Sequence, residues 1–468
     1  MPAPSGVIFM TSNGVGMGHL SRQLTVALSG SSSTDSVIFS LSGALPRIMR
    51  ASESGELPEA SGRRLRYEYC PSRESRWIPS RGWKRVVRES YRSYRWHPYL
   101  RDRLVALAVE TQACAVVFDG VVPYEGLLQA RALLPELAFV WMRRGMWRPD
   151  ALTHRLAAAE DFDLVVQPGD FAAAADRGPL AERTDARSIP PVSLVDVLAP
   201  STREGSRAAL GLPRDRPVLL LAPGSGALGS VEETAARIHR VIAAQREGWV
   251  IAVTRQSIVQ HDIGGASDSV VVLDDVYPLA RHLAAFDAAV SAAGYNAVHE
   301  LLGRAVPTLL VPSLSHITDD QSARADGVVA RGAALRADGD DLEAAVTRLL
   351  DEGVQAELRG GCATLEEPCG GIAASRLVKQ QLGSARPSPR SLVAPPPSRA
   401  WVDARTTVPA TGPSALQFTE EITVADVRGA VPVEHVLPQA SPEYVQSRRR
   451  SAAWLYRPAP ATAAARRR

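Results

Sequence analysis

The stretch Val7–Leu28 reads VIFMTSNGVGMGHLSRQLTVAL and contains three patterns in succession. A short apolar run leads into a glycine-rich loop, and an amphipathic segment begins after it, near His19. Apolar runs that end at glycine are typical of buried parallel strands, and apolar residues at helical spacing indicate a helix. The stretch therefore predicts a strand, a loop and a helix, which together form the opening unit of a parallel α/β domain.

The same alternation recurs along the chain and restarts once. Buried strands are predicted at 37–41, 115–119, 137–142 and 164–167, and after a stiff Pro190-Pro191 connector at 217–222, 249–254, 270–273, 288–291 and 307–311. Helical patterns lie between them, which favours parallel βα units over hairpins. We predict an α/β protein of two Rossmann-like domains facing across a cleft, over residues 1–192 and 193–383. Ligands in such sheets bind at the carboxyl ends of the strands.

The amino-acid composition bears on the partners of the protein and on its location in the cell. The net charge of the 468 residues is only +3, which gives no argument for nucleic acid as a partner. The four cysteines have no CxxC spacing, and no apolar run is long enough to span a bilayer, so we expect a cytoplasmic protein, free or peripheral at the inner face of the membrane. Residues 384–468 are rich in Pro, Ala and Arg and predict a disordered tail.

Two residues of the first half have the pattern of an acid–base pair. His19 follows Gly16 and Gly18 at the start of the predicted helix, where a neutral imidazole can accept a proton from a hydroxyl. Asp119 ends a predicted strand at the same sheet edge and is a candidate to orient His19. The structural alternatives are a tight turn at the glycines and a carboxylate that caps the next turn. The second strand ends in Ser40-Leu41-Ser42 rather than in an acid, which argues against a NAD site.

The second half contains a more specific motif, the run Ser291–Glu300. It predicts a strand, a turn and a helix whose first backbone N–H groups, at Gly294, Tyr295 and Asn296, can hold a diphosphate without a metal ion. Glu300 lies more than one turn inside that helix, where its carboxylate can reach a ribose. Asp320 and Gln321 follow a later strand and provide the acceptors and donors that sugar hydroxyls need.

These motifs resemble the donor-binding half of glycosyltransferases with the GT-B fold. The similarity is closest to the family that holds the lipid II-forming N-acetylglucosaminyltransferase and the diacylglycerol galactosyltransferases (family 28-like). It rests on Gly294 with Glu300 six residues later, on His316 with Asp320-Gln321, and on the glycine loops Leu221–Gly229 and Gly16–His19. It covers residues 7–382.

The resemblance implies an inverting, metal-independent transfer of a hexose or N-acetylhexosamine from a UDP-sugar to a hydroxyl acceptor, with no cofactor. Carried over by position, His19 is the base, and Gly16 and Gly18 form the acceptor loop. Glu300 binds ribose, and Asp320 and Gln321 bind the sugar. The remaining donor-binding residues implied are Gly224, Ser225 and Gly226 near the diphosphate, Val276 and Tyr277 near the base, and the Gly294-Tyr295-Asn296 turn.

The chain departs from the family pattern at two positively charged positions. Ala292 replaces a phosphate-binding histidine of the related plant enzymes, and Ser193 replaces an arginine that often follows the interdomain Pro-Val. The diphosphate must therefore find positive charge elsewhere, and Arg255 after a predicted strand is a candidate.

Two other functions remain possible from the sequence, and one segment has more than one interpretation. A UDP-sugar hydrolase of the same fold would also carry the Gly18-His19-x-x-Arg22 pattern, and a catalytically inactive nucleotide-sugar-binding protein is the non-enzyme alternative. The segment Arg73–Arg103 interleaves basic and aromatic residues. It predicts either a solvated helical face with aromatics packed inward, or a site for a lipid-linked or anionic acceptor or for an anionic membrane surface. His282 and His299 are expected in helices, with His299 on the helix surface.

Overall fold

The computed structural model describes residues 6–12, 17–30, 35–58, 65–72, 83–151, 153, 156–224, 231–245, 248–255, 269–314 and 316–382, with the side chains of 83–94, 231–232, 245 and 255 left out. The tail predicted at 384–468 lies outside the described residues. None of the helices within the described ranges is long and apolar enough to cross a membrane.

The first half forms one seven-stranded parallel sheet in the order β3-β2-β1-β4-β5-β6-β7. Its elements are β1 (Gly6–Thr11), α1 (Gly18–Leu28), β2 (Ser36–Ser40), α2 (Leu45–Glu53), β3 (Arg66–Tyr69), α3 (Trp83–Glu110), β4 (Ala113–Asp119), α4 (Glu125–Leu133), β5 (Ala138–Met142), β6 (Leu164–Pro168) and β7 (Arg187–Ile189). This is the Rossmann strand order with one added strand.

The second half forms a six-stranded parallel sheet in the order β10-β9-β8-β11-β12-β13. Its elements are α5 (Arg203–Leu210), β8 (Val218–Ala222), α6 (Val231–Gln245), β9 (Val250–Arg255), β10 (Val270–Asp274), β11 (Ala288–Ala292), α7 (Tyr295–Gly303), β12 (Thr308–Val311), α8 (Gln321–Ala330), β13 (Leu335–Arg336), α9 (Leu342–Leu349), α10 (Glu352–Cys362) and α11 (Gly370–Leu382). The prediction of two Rossmann-like domains is confirmed. The exact domain limits stay predictions.

The central strands of both sheets consist mainly of apolar residues, which suits strands that are covered by helices on both faces. All six residues of β1 and all five of β5 and β11 are buried, as expected for strands in doubly wound sheets. These continuous apolar runs are what the sequence pattern detected.

The helix α11 leaves the second domain and packs against α1 of the first. Its start is held by Asp196, whose carboxylate accepts a 2.8 Å hydrogen bond from the Gly371 N–H. A Cβ at Gly371 would lie only 2.6 Å from Ser29 Oγ, and one at Gly370 only 2.1 Å from the Pro190 carbonyl oxygen. The two glycines therefore allow the close approach that docks α11 on the first domain.

Two residues in the described part of the basic and aromatic segment make contacts within the fold. Trp96 is buried, donates a 2.7 Å hydrogen bond to the Pro71 carbonyl and packs edge-on against Tyr124. Arg103 binds Glu68 at 2.6 Å. The interpretation of inward-packed aromatics holds at Trp96, while residues 73–82 and the side chains of 83–94 lie outside the described part of the chain.

Candidate active site

The carboxyl ends of neighbouring strands bring His19 and Asp119 together. β1 and β4 pair directly, α1 begins at Gly18 just beyond β1, and Asp119 is the last residue of β4. His19 Nδ1 lies 2.6 Å from Asp119 Oδ1. The structure brings the two residues together at one sheet edge, and their catalytic role stays a prediction.

Arg22, one turn after His19 on α1, fixes the same carboxylate. Its Nε donates to Asp119 Oδ2 at 2.8 Å and its Nη2 to Oδ1 at 2.7 Å. Burial alone would raise the pKa of Asp119, but Arg22 and His19 outweigh burial and lower the pKa to about 2. Asp119 is therefore an anion at neutral pH, and this buried anion needs both partners.

Burial favours the neutral form of His19. Burial lowers the pKa of His19 below 6.5, although Asp119 opposes the shift. Arg22 Nη2 also lies 2.9 Å from Nδ1, but the ionised Asp119 can only accept, and its shorter 2.6 Å contact assigns the proton of the neutral ring to Nδ1 and the lone pair to Nε2. His19 can thus accept a proton at Nε2 while Asp119 stabilises the imidazolium that forms.

The start of α7 faces the start of α1 across the two domains. Arg22 Nη1 donates to Asn296 Oδ1 at 3.3 Å, and Asn296 Nδ2 donates to the Gly18 carbonyl at 3.5 Å. Both helices begin at this meeting point, and the unpaired N–H groups of a helix N-terminus favour an anion. Asn296 therefore lies where the first and second domains meet.

The side chain of Tyr295 makes hydrogen bonds that link α7 to other parts of the protein. Its hydroxyl accepts a 3.0 Å hydrogen bond from the Val192 N–H and donates a 2.9 Å bond to the Gly169 carbonyl. It thereby ties α7 to the interdomain connector and to the end of β6. The part of Tyr295 that remains for a donor is its backbone N–H.

Glu300 lies on α7, beyond the first turn of the helix. It is partly buried, and no hydrogen bond joins its carboxylate to another residue of the described chain. Burial raises the pKa of Glu300 to about 8. A carboxylate in such surroundings is stabilised by hydroxyl donors, which is what the two hydroxyls of a ribose would supply.

Val276 and Tyr277 follow β10, and both are partly buried against the core. The Tyr277 hydroxyl lies 3.3 Å from Ser21 Oγ on α1. The preceding Asp275 is bound by Arg47 and Arg50 of α2. The loop expected beside the base is therefore held by the first domain at three side chains.

Asp320 and Gln321, which are expected to bind the sugar, also make hydrogen bonds within the protein. Asp320 caps α8, with Oδ1 accepting from the Ala323 N–H at 3.0 Å. The buried Gln321 accepts from the Ser313 N–H at 3.0 Å through Oε1. A Cβ on Gly294 would lie 3.9 Å from Gln321 Nε2, so the sugar motif and the start of α7 are neighbours.

A loop of the first domain covers this segment. The Arg148 N–H donates to the Thr318 carbonyl at 2.8 Å, and the Asp320 N–H donates to the Met146 carbonyl at 2.9 Å. The loop after β5 and the loop before α8 thus run side by side, and the candidate sugar site lies between the domains.

Sequence reasoning missed a buried ionic cluster beside the site. Arg324 binds Asp170 at 2.8 Å and Asp319 at 3.0 Å, and Arg144 binds the same Asp319 oxygen at 3.0 Å. The guanidinium groups of Arg22, Arg144 and Arg324 lie 5.2, 5.6 and 5.9 Å from the centre of the Tyr295 ring. Asp170 and Arg324 are 154 positions apart, and no local pattern reveals such a pair.

The expectation that His299 lies on the surface of its helix is wrong. His299 is fully buried, its Nε2 accepts from the Phe171 N–H at 3.1 Å, and its Nδ1 lies 2.6 Å from the Tyr295 carbonyl. Burial lowers the pKa of His299 to about 4. The cause is the first domain, whose segment after β6 covers this face of α7.

Several predicted positions are partly or wholly outside the described residues. Gly16, Ser225 and Gly226 are among these, and so is the side chain of Arg255. Gly224 has a left-handed φ of +65°, and a Cβ there would lie 3.1 Å from the Ala292 Cβ. A small residue at 292 thus lets the second glycine loop approach the end of β11. The described His, Cys, Asp and Glu residues form no group of three or more that could hold a metal ion.

Comparisons with known proteins agree with this architecture. No protein family profile matches the chain. The UDP-N-acetylglucosamine–N-acetylmuramyl-(pentapeptide) pyrophosphoryl-undecaprenol N-acetylglucosamine transferase of Symbiobacterium thermophilum is 31% identical over 201 residues, which are 41% of this chain and 52% of that protein. The chain thus spans about half the length of this curated relative.

Solved glycosyltransferases match over a larger share of the chain. The calicheamicin glycosyltransferase CalG4 superposes with a TM-score of 0.53 at 15% identity, over 83% of this chain and 100% of CalG4. UGT2 of Phytolacca americana, solved with UDP-2-fluoro-glucose and pterostilbene, gives a TM-score of 0.53 at 14% identity, over 81% of this chain and 100% of that one. The chain therefore has the GT-B fold, and over part of its length it is similar in sequence to UDP-N-acetylglucosamine transferases.

Proposed function

We propose that the protein is an inverting glycosyltransferase that moves a hexose or N-acetylhexosamine from a UDP-sugar to a hydroxyl acceptor without a metal ion or cofactor. The observation that carries the proposal is the His19–Asp119 pair, with its 2.6 Å hydrogen bond, at the meeting point of the α1 and α7 N-termini. A neutral base therefore lies close to a site suited to an anionic leaving group.

The chemistry follows from this arrangement. The acceptor hydroxyl gives its proton to Nε2 of His19 as its oxygen attacks the anomeric carbon from the face opposite the diphosphate. The bond between that carbon and the diphosphate oxygen breaks, and UDP leaves with the electron pair. The N–H groups at the start of α7 stabilise the negative charge on the leaving group, and Asp119 stabilises the imidazolium.

The substrates are proposed from the site and from the names of relatives. Glu300 binds the ribose hydroxyls, Val276 and Tyr277 lie beside the base, and Asp320 and Gln321 bind the sugar. UDP-N-acetylglucosamine is the first donor to test, because the curated relative is named for it. We propose a lipid-linked or anionic acceptor and a cytoplasmic location with contact to the inner membrane face.

Thermal unfolding against UDP-, dTDP-, GDP- and ADP-sugars tests the donor site. A ligand at about a hundred times its dissociation constant adds roughly 2.7 kcal/mol of stability, which gives a clear shift. Stabilisation by one UDP-sugar that is lost in Glu300→Ala supports the proposal. No shift with any sugar nucleotide contradicts it.

UDP release with and without acceptor then separates transfer from hydrolysis. Release that depends on an added hydroxyl acceptor and persists in EDTA supports a metal-independent transferase. Equal release in water alone identifies a hydrolase.

A further inference from the structure

The loop after β5 carries two adjacent arginines with different surroundings. Arg143 is fully buried, binds Asp185 at 2.6 and 3.0 Å and stacks on Trp141 at 5.2 Å. It is a structural residue within the first domain. Arg144 binds Asp319 of the second domain instead, at 3.0 Å, and lies over the ring of Tyr295, the first residue of α7.

Among the described residues, Arg144 has fewer carboxylate contacts than the other two arginines of the ionic cluster. Arg22 has both oxygens of Asp119, and Arg324 is bound by Asp170 and Asp319. Arg144 is left to share one oxygen of Asp319 with Arg324.

Arg144 is also more exposed to solvent than Arg22 and Arg324. The side chains of Arg22 and Arg324 are 2% and 0% exposed, whereas that of Arg144 is 14% exposed. Burial and the neighbouring cations Arg22 and Arg324 lower the pKa of Arg144, although Asp319 opposes them. An anion at the exposed edge of Arg144 would offset the repulsion among the three guanidinium groups.

The donor site of the second domain needs such a cation. Ala292 and Ser193 stand where the resemblance leads one to expect a histidine and an arginine, and both are buried small side chains in the structure. The start of α7 offers N–H groups but no full positive charge. Arg144 reaches this place from the opposite domain.

We infer that Arg144 binds a phosphate oxygen of the UDP-sugar and so supplies, from the first domain, the positive charge that the donor domain lacks. The inference rests on the proposed function. In this arrangement the diphosphate would bind between the domains. The N–H groups of α7 would hold it from the second domain, and the guanidinium of Arg144 would hold it from the first. A guanidinium suits this role because it can give parallel hydrogen bonds to phosphate oxygens.

Titration calorimetry with UDP, UMP and uridine tests the inference on the full chain. Arg144→Gln should weaken UDP about 10- to 100-fold, the range expected for lost hydrogen bonds to a charged group, and should weaken uridine less than about twofold. Arg144→Lys keeps the charge without the fork and should lose an intermediate factor. The control is Arg148→Gln, in the same loop, whose side chain binds Asp150 and should leave UDP affinity unchanged.

The outcomes separate this inference from the proposed function. Unchanged UDP affinity in both Arg144 variants, or an equal loss of affinity for UDP and uridine, overturns the role of Arg144 but does not contradict the proposed function. Failure of the unaltered protein to bind UDP overturns the proposed function as well. If Arg144→Gln does not fold, Arg144→Lys decides, because a loss of UDP affinity without a loss of uridine affinity requires a phosphate contact.

Discussion

Asp119 Oδ1 lies 2.6 Å from His19 Nδ1, although the two residues are 100 positions apart in the chain. The parallel pairing of β1 with β4 produces this distance, because it places the ends of both strands at one sheet edge. Arg22 holds the carboxylate from a second direction and keeps it ionised. The imidazole is therefore oriented before any substrate arrives, and orientation of this kind reduces the reorganisation needed during reaction.

Replacing His19 should remove turnover and keep donor binding. We expect His19→Gln to lower kcat about 10²- to 10⁴-fold, the usual contribution of a general base, with UDP affinity within about twofold of the unaltered protein. Initial rates with saturating donor and acceptor measure the first quantity, and calorimetry measures the second. Full turnover in this variant would show that His19 is not the base.

Replacing Glu300 should change the pH dependence of stability. The pKa of Glu300 is raised from 4.5 to about 8, so its contribution to folding is complete below pH 4.5 and is lost as the pH rises through 8. Glu300→Gln has no charge to bury. The variant should therefore gain melting temperature relative to the unaltered protein between about pH 5 and about pH 9. A difference in melting temperature that is the same at every pH would contradict the shifted pKa.

Asp320 offers a way to separate capping from sugar binding. Asparagine caps a helix about as well as aspartate, whereas alanine costs about 1 kcal/mol. Asp320→Asn should therefore unfold in urea like the unaltered protein, and Asp320→Ala should be less stable. If the carboxylate binds the sugar, both should lose about tenfold or more in kcat/KM. An Asn variant with normal turnover would restrict Asp320 to the cap.

The Tyr295 hydroxyl should matter for stability and not for the donor. Tyr295→Phe removes the partner of the Val192 N–H and of the Gly169 carbonyl, and should cost about 1–3 kcal/mol in urea unfolding. UDP affinity should stay the same because the backbone N–H of α7 remains. Weaker UDP binding at unchanged stability would assign the hydroxyl to the donor site.

The sequence allowed the parts of the fold that depend on local pattern to be predicted. The buried strands, the two sheets and the positions of His19, Asp119 and Glu300 at strand ends or inside α7 follow from apolar runs and glycine turns. His299 was misplaced because the face of its helix is covered by a segment 128 positions away. Arg144 was missed for a similar reason: its partner Asp319 is 175 positions away, and an arginine after a strand has no distinctive pattern.

The return of α11 to the first domain bears on how new donor preferences could be engineered. A recombinant exchange that cuts only at the connector near Pro190 would bring a foreign final helix along with the foreign donor half. That helix would have to fit against α1 at Gly371 and against the Pro190-Pro191 connector at Gly370, and neither position leaves room for a side chain. A graft must therefore retain the native 370–382 and also Asp196, whose carboxylate accepts from the Gly371 N–H. The exchangeable segment is then 197–369, with one junction on each side of it.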